Sequence, residues 1–153
     1  MLNPDYKDMS SALIDCGVEF LVVGAYALAA HGLPRATGDI DFWIARSPEN
    51  SNRVIAALTR FGAPISDWTA ADFQQPELVF QIGVEPRRID IITSIGHLNF
   101  DEAWKRRITV RVDGIELPVI SRDDLIQSKQ EAGRPQDLAD VARLKKQHFK
   151  PDR

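Results

Sequence analysis

Apolar positions along this chain fall into short continuous runs and period-two stretches separated by amphipathic segments, the pattern of strands alternating with helices. Phe20-Leu21-Val22-Val23 is a continuous apolar run closed by Gly24. Ser10 to Cys16 predicts a helix before it, and Ala25 to His31 is rich in strong helix formers after it, so the chain turns sharply from strand to helix at Gly24. Asp39 to Ala45 reads as the next strand. Ser47 and Pro48 then supply the N-cap and first position of a helix whose apolar face is Val54, Ile55, Leu58 and Phe61.

An irregular stretch with Trp68 and Phe73 leads to a strand near Glu77 to Ile82 and a β-branched strand from Arg87 to Thr93, with Trp68 expected in the core. Ile108 to Ile120 alternates around Asp113-Gly114, the signal of a tight hairpin, here expected to extend the sheet edge. Ser121 caps a helix through Ala132, Gly133 stops it, and Arg134-Pro135 opens a final helix reaching about His148. This order predicts an α/β (α+β) fold: a mixed β-sheet flanked by helices, one domain over 1–153 with its core at about 18–120 and a C-terminal helical pair at about 121–148.

Composition narrows the function classes. With 153 residues, 44% hydrophobic and 27% charged, the chain has the make-up of a soluble globular domain with one substantial core. A net charge of -3 argues against broad nucleic-acid binding, which depends on a basic surface. A local patch is still conceivable from the charged pair Arg87-Arg88 and from Lys105, Arg106, Arg107 and Arg111, beside the alternative of a solvated charged face. Cys16 is the single cysteine, so no intramolecular disulfide forms, and a buried structural thiol is expected. Met1 to Lys7 has no apolar core and no run reaches the roughly twenty residues that span a bilayer, so no signal peptide or membrane partner is expected and the location is expected to be cytoplasmic.

The candidate chemistry lies in Gly38-Asp39-Ile40-Asp41-Phe42-Trp43-Ile44, which follows the apolar strand and Gly24-Ala25 after the thirteen residues Tyr26 to Gly38. Side chains alternate along a strand, so Asp39 and Asp41 share a face while Ile40 and Phe42 enter the core. Like charges this close call for a shared cation, and hard divalent ions such as Mg²⁺ take carboxylate oxygens. The bland alternative is a pair on a solvated face. Asp90, between Ile89 and Ile91, offers a third carboxylate if its strand pairs beside the Asp39/Asp41 strand. Otherwise it faces solvent from a one-sided sheet. Gly24 permits close backbone approach to a phosphate at the start of the helix, where free N–H groups point outward, or else is a tight turn only.

These residues resemble the signature of the nucleotidyltransferase superfamily built like the catalytic domain of DNA polymerase beta: a Gly-Gly or Gly-Ser turn, about ten residues, Asp-x-Asp, and a later Asp. Here Gly24-Ala25, Asp39, Asp41 and Asp90 match it. Val22 to Asp41 is most similar to the small bacterial branch related to abortive-infection and toxin–antitoxin nucleotidyltransferases, and Lys129 to Asp140 looks like the helix-turn-helix of that branch. Ala25 departs from the usual Ser or Gly and offers phosphate only its backbone N–H.

The resemblance implies a catalytic and metal set of Asp39, Asp41 and Asp90 holding two Mg²⁺ (or Mn²⁺) ions, with Asp90 also a candidate general base. It further implies an NTP bound against Gly24 and Ala25, with Lys129 a candidate triphosphate contact or else a solvent-facing lysine. Arg35 and Thr37 are candidates to orient phosphate or acceptor, with turn-capping the alternative for Thr37. His31 and His97 show no partner in the sequence and receive no role. The implied reaction moves an NMP group to a hydroxyl of a protein, tRNA or small-molecule acceptor and releases pyrophosphate. The competing reading is a weakly active or inactive module that binds a partner protein from a neighbouring gene, as in a toxin–antitoxin pair.

Overall fold

A computed structural model describes residues 2–33 and 38–148, the side chain of His148 excepted. Helix α1 (Pro4–Asp15) is followed by β1 (Phe20–Val23), α2 (Gly24–Ala30), β2 (Ile40–Ile44) and α3 (Pro48–Phe61). After a short 3₁₀ turn (Asp72–Gln74) come β3 (Val79–Ile82), β4 (Ile89–Ile92), α4 (Phe100–Lys105), the hairpin β5 (Ile108–Val112) and β6 (Ile115–Val119), then α5 (Arg122–Ala132) and α6 (Pro135–His148). The expected α/β architecture is what the chain forms: a six-stranded mixed sheet in the order β3-β4-β2-β1-β6-β5 with helices around it.

Local chemistry explains most boundaries. The Ser47 side chain accepts from the Asn50 backbone N–H with Pro48 in the first turn, and Gly62 closes α3 in the left-handed region. Ser121 caps α5 in the same way by accepting from Asp124 N–H, and Gly133 ends it at φ 67°. Asp113 and Gly114 both take positive φ, 51° and 80°, as a two-residue turn between right-twisted strands requires. Its strand β5 is an edge of the sheet, as expected. The boundary that moves furthest is that of α1, which begins at Pro4 rather than Ser10, because the Asn3 side chain accepts from Asp5 N–H and Pro4 fits the first helical turn. Cys16 accordingly caps the C-terminus of α1 and is half-buried rather than buried.

Strand register sorts the side chains onto two faces. Phe42 stands opposite Val22 on antiparallel β1 and opposite Ile91 on parallel β4, and Phe80 of β3 stands opposite Ile91. Directly paired residues point the same way. One face therefore carries Phe20, Val22, Ile40, Phe42, Ile44, Phe80, Ile89 and Ile91, all buried. Phe20 meets Phe42 edge to face with centroids 5.5 Å apart, and Trp68 joins Phe73 and Phe80 in a ring cluster, which puts Trp68 against the core as expected. The opposite face carries Leu21, Val23, Asp41, Trp43, Asp90 and Ile92. Trp43 is covered there by Phe100 of α4 at 5.0 Å.

Candidate functional site

The polar end of that second face is where the acidic residues meet. Parallel pairing of β2 with β4 sets Asp41 directly opposite Asp90, and antiparallel pairing with β1 sets Asp41 opposite Val23, the residue before Gly24. Asp39 lies one residue before β2 rather than within it. The Arg88 backbone N–H donates to Asp39 Oδ1 at 3.0 Å, which fixes that carboxylate toward β4. Asp41 and Asp90 thus lie side by side, with Asp39 held against Arg88 next to them, and Asp90, only 6% exposed, does not face solvent.

Glycine is required at two points of close approach. Gly24 has φ 69°, and a Cβ there would lie 2.2 Å from Asp41 Oδ2. At Gly38 a Cβ would overlap the Pro86 carbonyl oxygen at 1.3 Å, so the entry to β2 can press against the loop before β4 only without a side chain.

Among the described residues, carboxylates outnumber cations in this centre. Arg88 Nε donates to Asp90 Oδ1 at 2.7 Å and Nη2 to Asp90 Oδ2 at 3.2 Å, while Nη2 lies 3.5 Å from Asp39 Oδ2. Among the described residues, no guanidinium or ammonium is paired with Asp41. Burial, then the neighbouring charge and hydrogen bond of Asp90, then the charge of Asp39, push the Asp41 carboxyl up to about 7. Tyr6, buried in α1, donates its hydroxyl to the Gly38 carbonyl and, at 3.4 Å, to the Arg88 carbonyl, tying α1 to the entries of both acidic strands. Burial, Tyr26 and Asp39 push its phenol up to about 12. It therefore serves as a neutral donor at physiological pH.

Beside the carboxylates opens a cavity of about 430 Å³ lined by Gly24, Asp41, Ile92, Ser128, Lys129 and Arg134, among others. Lys129 does not face solvent: its side chain is 13% exposed, and Nζ lies 3.1 Å from Asp140 Oδ2 and 3.6 Å from Asp137 Oδ1. Helices α5 and α6 thus hold an ammonium at the wall of the same cavity as Gly24 and Asp41. A second cavity of about 650 Å³ adjoins it across Ser94, Gly96 and His97, but contains none of the three carboxylates.

Gly24, Ala25, Asp39, Asp41 and Asp90 are thus gathered at one end of the sheet, with Lys129 across the cavity; Arg35 and Thr37 lie outside the described residues. The two histidines that showed no partner in sequence have them in the fold. His31 Nε2 lies 2.8 Å from the Ile120 carbonyl, and the His97 backbone N–H donates to Glu131 at 2.9 Å. The basic cluster is paired internally: Lys105 with Glu102, Arg106 with Asp124 and Arg111 with Glu116, while Arg107 lies 3.9 Å over the Trp104 ring. Each described cation of the cluster thus has a partner within the chain. Sequence reasoning passed over Arg88 and Tyr6 as members of the site. Arg88 left a signal, since it precedes Asp90 by two residues and so shares its strand face. Tyr6 left none.

An all-oxygen donor set of carboxylates fits a hard divalent cation. Among the described residues, no three carboxylate, imidazole or thiol side chains are grouped to hold such an ion between them. Arg88 stands on Asp90 and Asp39 instead.

The sheet order, the Gly24 turn and the paired acidic strands define a nucleotidyltransferase fold. A provisionally assigned nucleotidyltransferase from Thermotoga maritima is similar over 96% of this chain and 96% of its own, with a TM-score of 0.63 at 17% identity. An antigenic nucleotidyltransferase-like protein from Paracoccidioides brasiliensis is similar over 92% of this chain and 74% of its own, with a TM-score of 0.52 at 12% identity. The chain itself belongs to the family described as "Nucleotidyl transferase of unknown function (DUF2204)", whose model matches residues 3–151. No curated protein matches it in sequence. Among the described residues, no helix is long and apolar enough to cross a membrane.

Proposed function

We propose that this protein is a metal-dependent enzyme that transfers an NMP group from an NTP to a hydroxyl acceptor, releasing pyrophosphate. The observation that carries this reading is the β2–β4 register: it sets Asp41 opposite Asp90, with Asp39 beside them and Gly24 against Asp41. Mg²⁺ or Mn²⁺ held by these carboxylates would supply charge neutralisation for the phosphates and the departing pyrophosphate. The NTP is proposed to lie in the 430 Å³ cavity with its phosphates against the Gly24-Ala25 backbone and toward Lys129, whose ammonium is held in place by Asp137 and Asp140. Arg35 and Thr37 are proposed to complete the phosphate or acceptor contacts. Asp90, oriented by the Arg88 fork, is the group proposed to take the proton of the attacking hydroxyl.

Ala25 puts no hydroxyl at the turn, and this favours a second reading in which a weakly active module holds a partner protein. The similarity of Val22 to Asp41 and Lys129 to Asp140 to the abortive-infection and toxin–antitoxin branch would make that partner the product of a neighbouring gene, acting in the cytoplasm. One experiment separates the two. Thermal stabilisation by each of the four NTPs is measured with and without Mg²⁺ or Mn²⁺, beside an Asp39→Asn/Asp41→Asn variant. A metal-dependent shift that the variant loses supports the transferase. No shift with any NTP, in protein that still forms a stable complex with the neighbouring gene's product, supports the binding module.

A further inference from the structure

The proposed reaction uses one of the two adjoining cavities and leaves the larger without a part. That cavity, of about 650 Å³, is lined by Glu19, Trp43, Arg46, Glu77, Phe100 and Asp101, among others. Its volume is that of a small-molecule site rather than of a groove for a polymer. The sheet register ties it to the acidic centre. Asp41 pairs with Asp90, and two residues further along the same face Trp43 pairs with Ile92. Trp43 lines the larger cavity and Ile92 the smaller, so this pair, about 7 Å along the strands from the carboxylates, borders both. Ser94, Gly96 and His97 form their common wall. It is held from two sides: Ser94 Oγ accepts from the Glu77 backbone N–H at 2.9 Å, and the His97 backbone N–H donates to Glu131 of α5 at 2.9 Å.

Charge sets what this cavity can take. Glu19, Glu77 and Asp101 bring carboxylates to its lining, and among the described residues no ion pair joins any of them to a cation. The lining guanidinium, Arg46, turns to the Gln74 carbonyl, to which Nη1 donates at 3.3 Å. A phosphate-bearing acceptor would meet like charge here, whereas a protonated amine gains charge-assisted hydrogen bonds. We propose that the larger cavity is the acceptor subsite and that the acceptor is a small hydroxylated molecule carrying a protonated amine. The inference rests on the transferase reading above and names its acceptor class. In the step it serves, the acceptor hydroxyl oxygen bonds to the α-phosphorus of the NTP and the bond from that phosphorus to the bridging oxygen breaks. Pyrophosphate leaves with the electron pair, and the hydroxyl proton passes to Asp90. An amine kept protonated by the carboxylates is no nucleophile, which leaves attack to the hydroxyl.

The test compares three probes of matched size and hydroxylation on the full chain: glucosamine, glucose and glucose 6-phosphate, their binding read by ligand-observed NMR. Glucosamine is expected to bind at least about fivefold more tightly than glucose, and glucose 6-phosphate most weakly. In Glu19→Gln/Glu77→Gln/Asp101→Asn the preference for glucosamine should vanish, while the metal-dependent NTP shift stays as in wild type. No binding of glucosamine, equal binding of glucose, or an unchanged preference in the variant would overturn the proposal, and a retained NTP shift would leave the transferase reading intact. Preference for glucose 6-phosphate would also overturn it and point to a nucleic-acid acceptor. Glucosamine binding without any metal-dependent NTP shift would overturn the transferase reading and the acceptor role together. If the triple variant does not fold, by circular dichroism, Glu77→Gln and Asp101→Asn singly decide: glucosamine affinity equal to wild type in both overturns the proposal.

Discussion

Two acidic clusters in this protein differ in how their charge is balanced. Between α5 and α6, Asp137 and Asp140 face Lys129, with Arg134 adding two donors to Asp137 at 2.6 and 3.2 Å. Lys129 and Arg134 both face these carboxylates, and the Arg134 hydrogen bonds hold the Asp137 carboxyl below its ordinary range. At the strand ends Arg88 engages Asp90 and Asp39, and Asp41 beside them is pushed the other way, up to about 7, by burial and by the charge of Asp90. Both clusters are built from aspartates close to or within the buried interior. Their opposite shifts separate a cluster whose carboxyl is steadied by cations from one whose carboxyl is crowded by burial and like charge.

Breaking the balanced cluster should cost most. Asp137→Ala removes one of the two carboxylates around the nearly buried Lys129, and loss of a buried partner typically costs about 3–5 kcal/mol. Because Asp140 stays at 3.1 Å, a loss of about 3 kcal/mol in urea unfolding is expected. Breaking the unbalanced cluster should instead abolish ligand linkage. At a hundredfold excess of NTP and metal over the dissociation constant, wild type should gain about 2.7 kcal/mol, and Asp39→Asn/Asp41→Asn should gain nothing. A variant that still gains would detach nucleotide binding from the carboxylates.

A third substitution sharpens the contrast by its sign. In metal-free protein at pH 8, Asp41→Asn should raise unfolding free energy by about 1–2 kcal/mol, since it removes a carboxylate crowded by burial and by Asp90. Asp137→Asn at the same pH should lower it. Equal signs in the two chemical-denaturation curves would erase the distinction drawn here.

The smallest effect expected is on pH dependence. Asp137 has its folded value depressed, so its contribution to stability is fully present above the unfolded value near 3.8 and is lost as pH falls through the folded one. Urea midpoints measured from pH 5 down to pH 2 should therefore fall less steeply for Asp137→Asn than for wild type.

Much of this was legible from local patterns. Phe20–Val23 was delimited by its apolar run and Gly24, and α3 and α5 by Ser47-Pro48, Ser121 and Gly133, because caps and turns are chosen by the residues that form them. The Asp-x-Asp spacing with Asp90 was enough to name the acidic residues. Asn3 as the cap of α1 was legible too, though weaker than the apolar pattern that began at Ser10. Lys129 was open between cavity and solvent until the fold showed it held by Asp137 and Asp140 from the next helix. Arg88 read as one of a charged pair, and nothing near Tyr6 pointed to Gly38, thirty-two residues away.

What the sequence determined by itself was the set of elements, their caps and the face on which each carboxylate lies, because a period of two or 3.6 residues is a property of neighbours along the chain. Which strands lie side by side, and in what register, is a property of the whole sheet. Only the tertiary structure decided that β2 runs parallel to β4 with Asp41 opposite Asp90. That register brings like charges together in a buried place and sets Arg88 between two of them. The chemistry of the centre follows from this juxtaposition, since a carboxylate's charge state is fixed by what surrounds it in space.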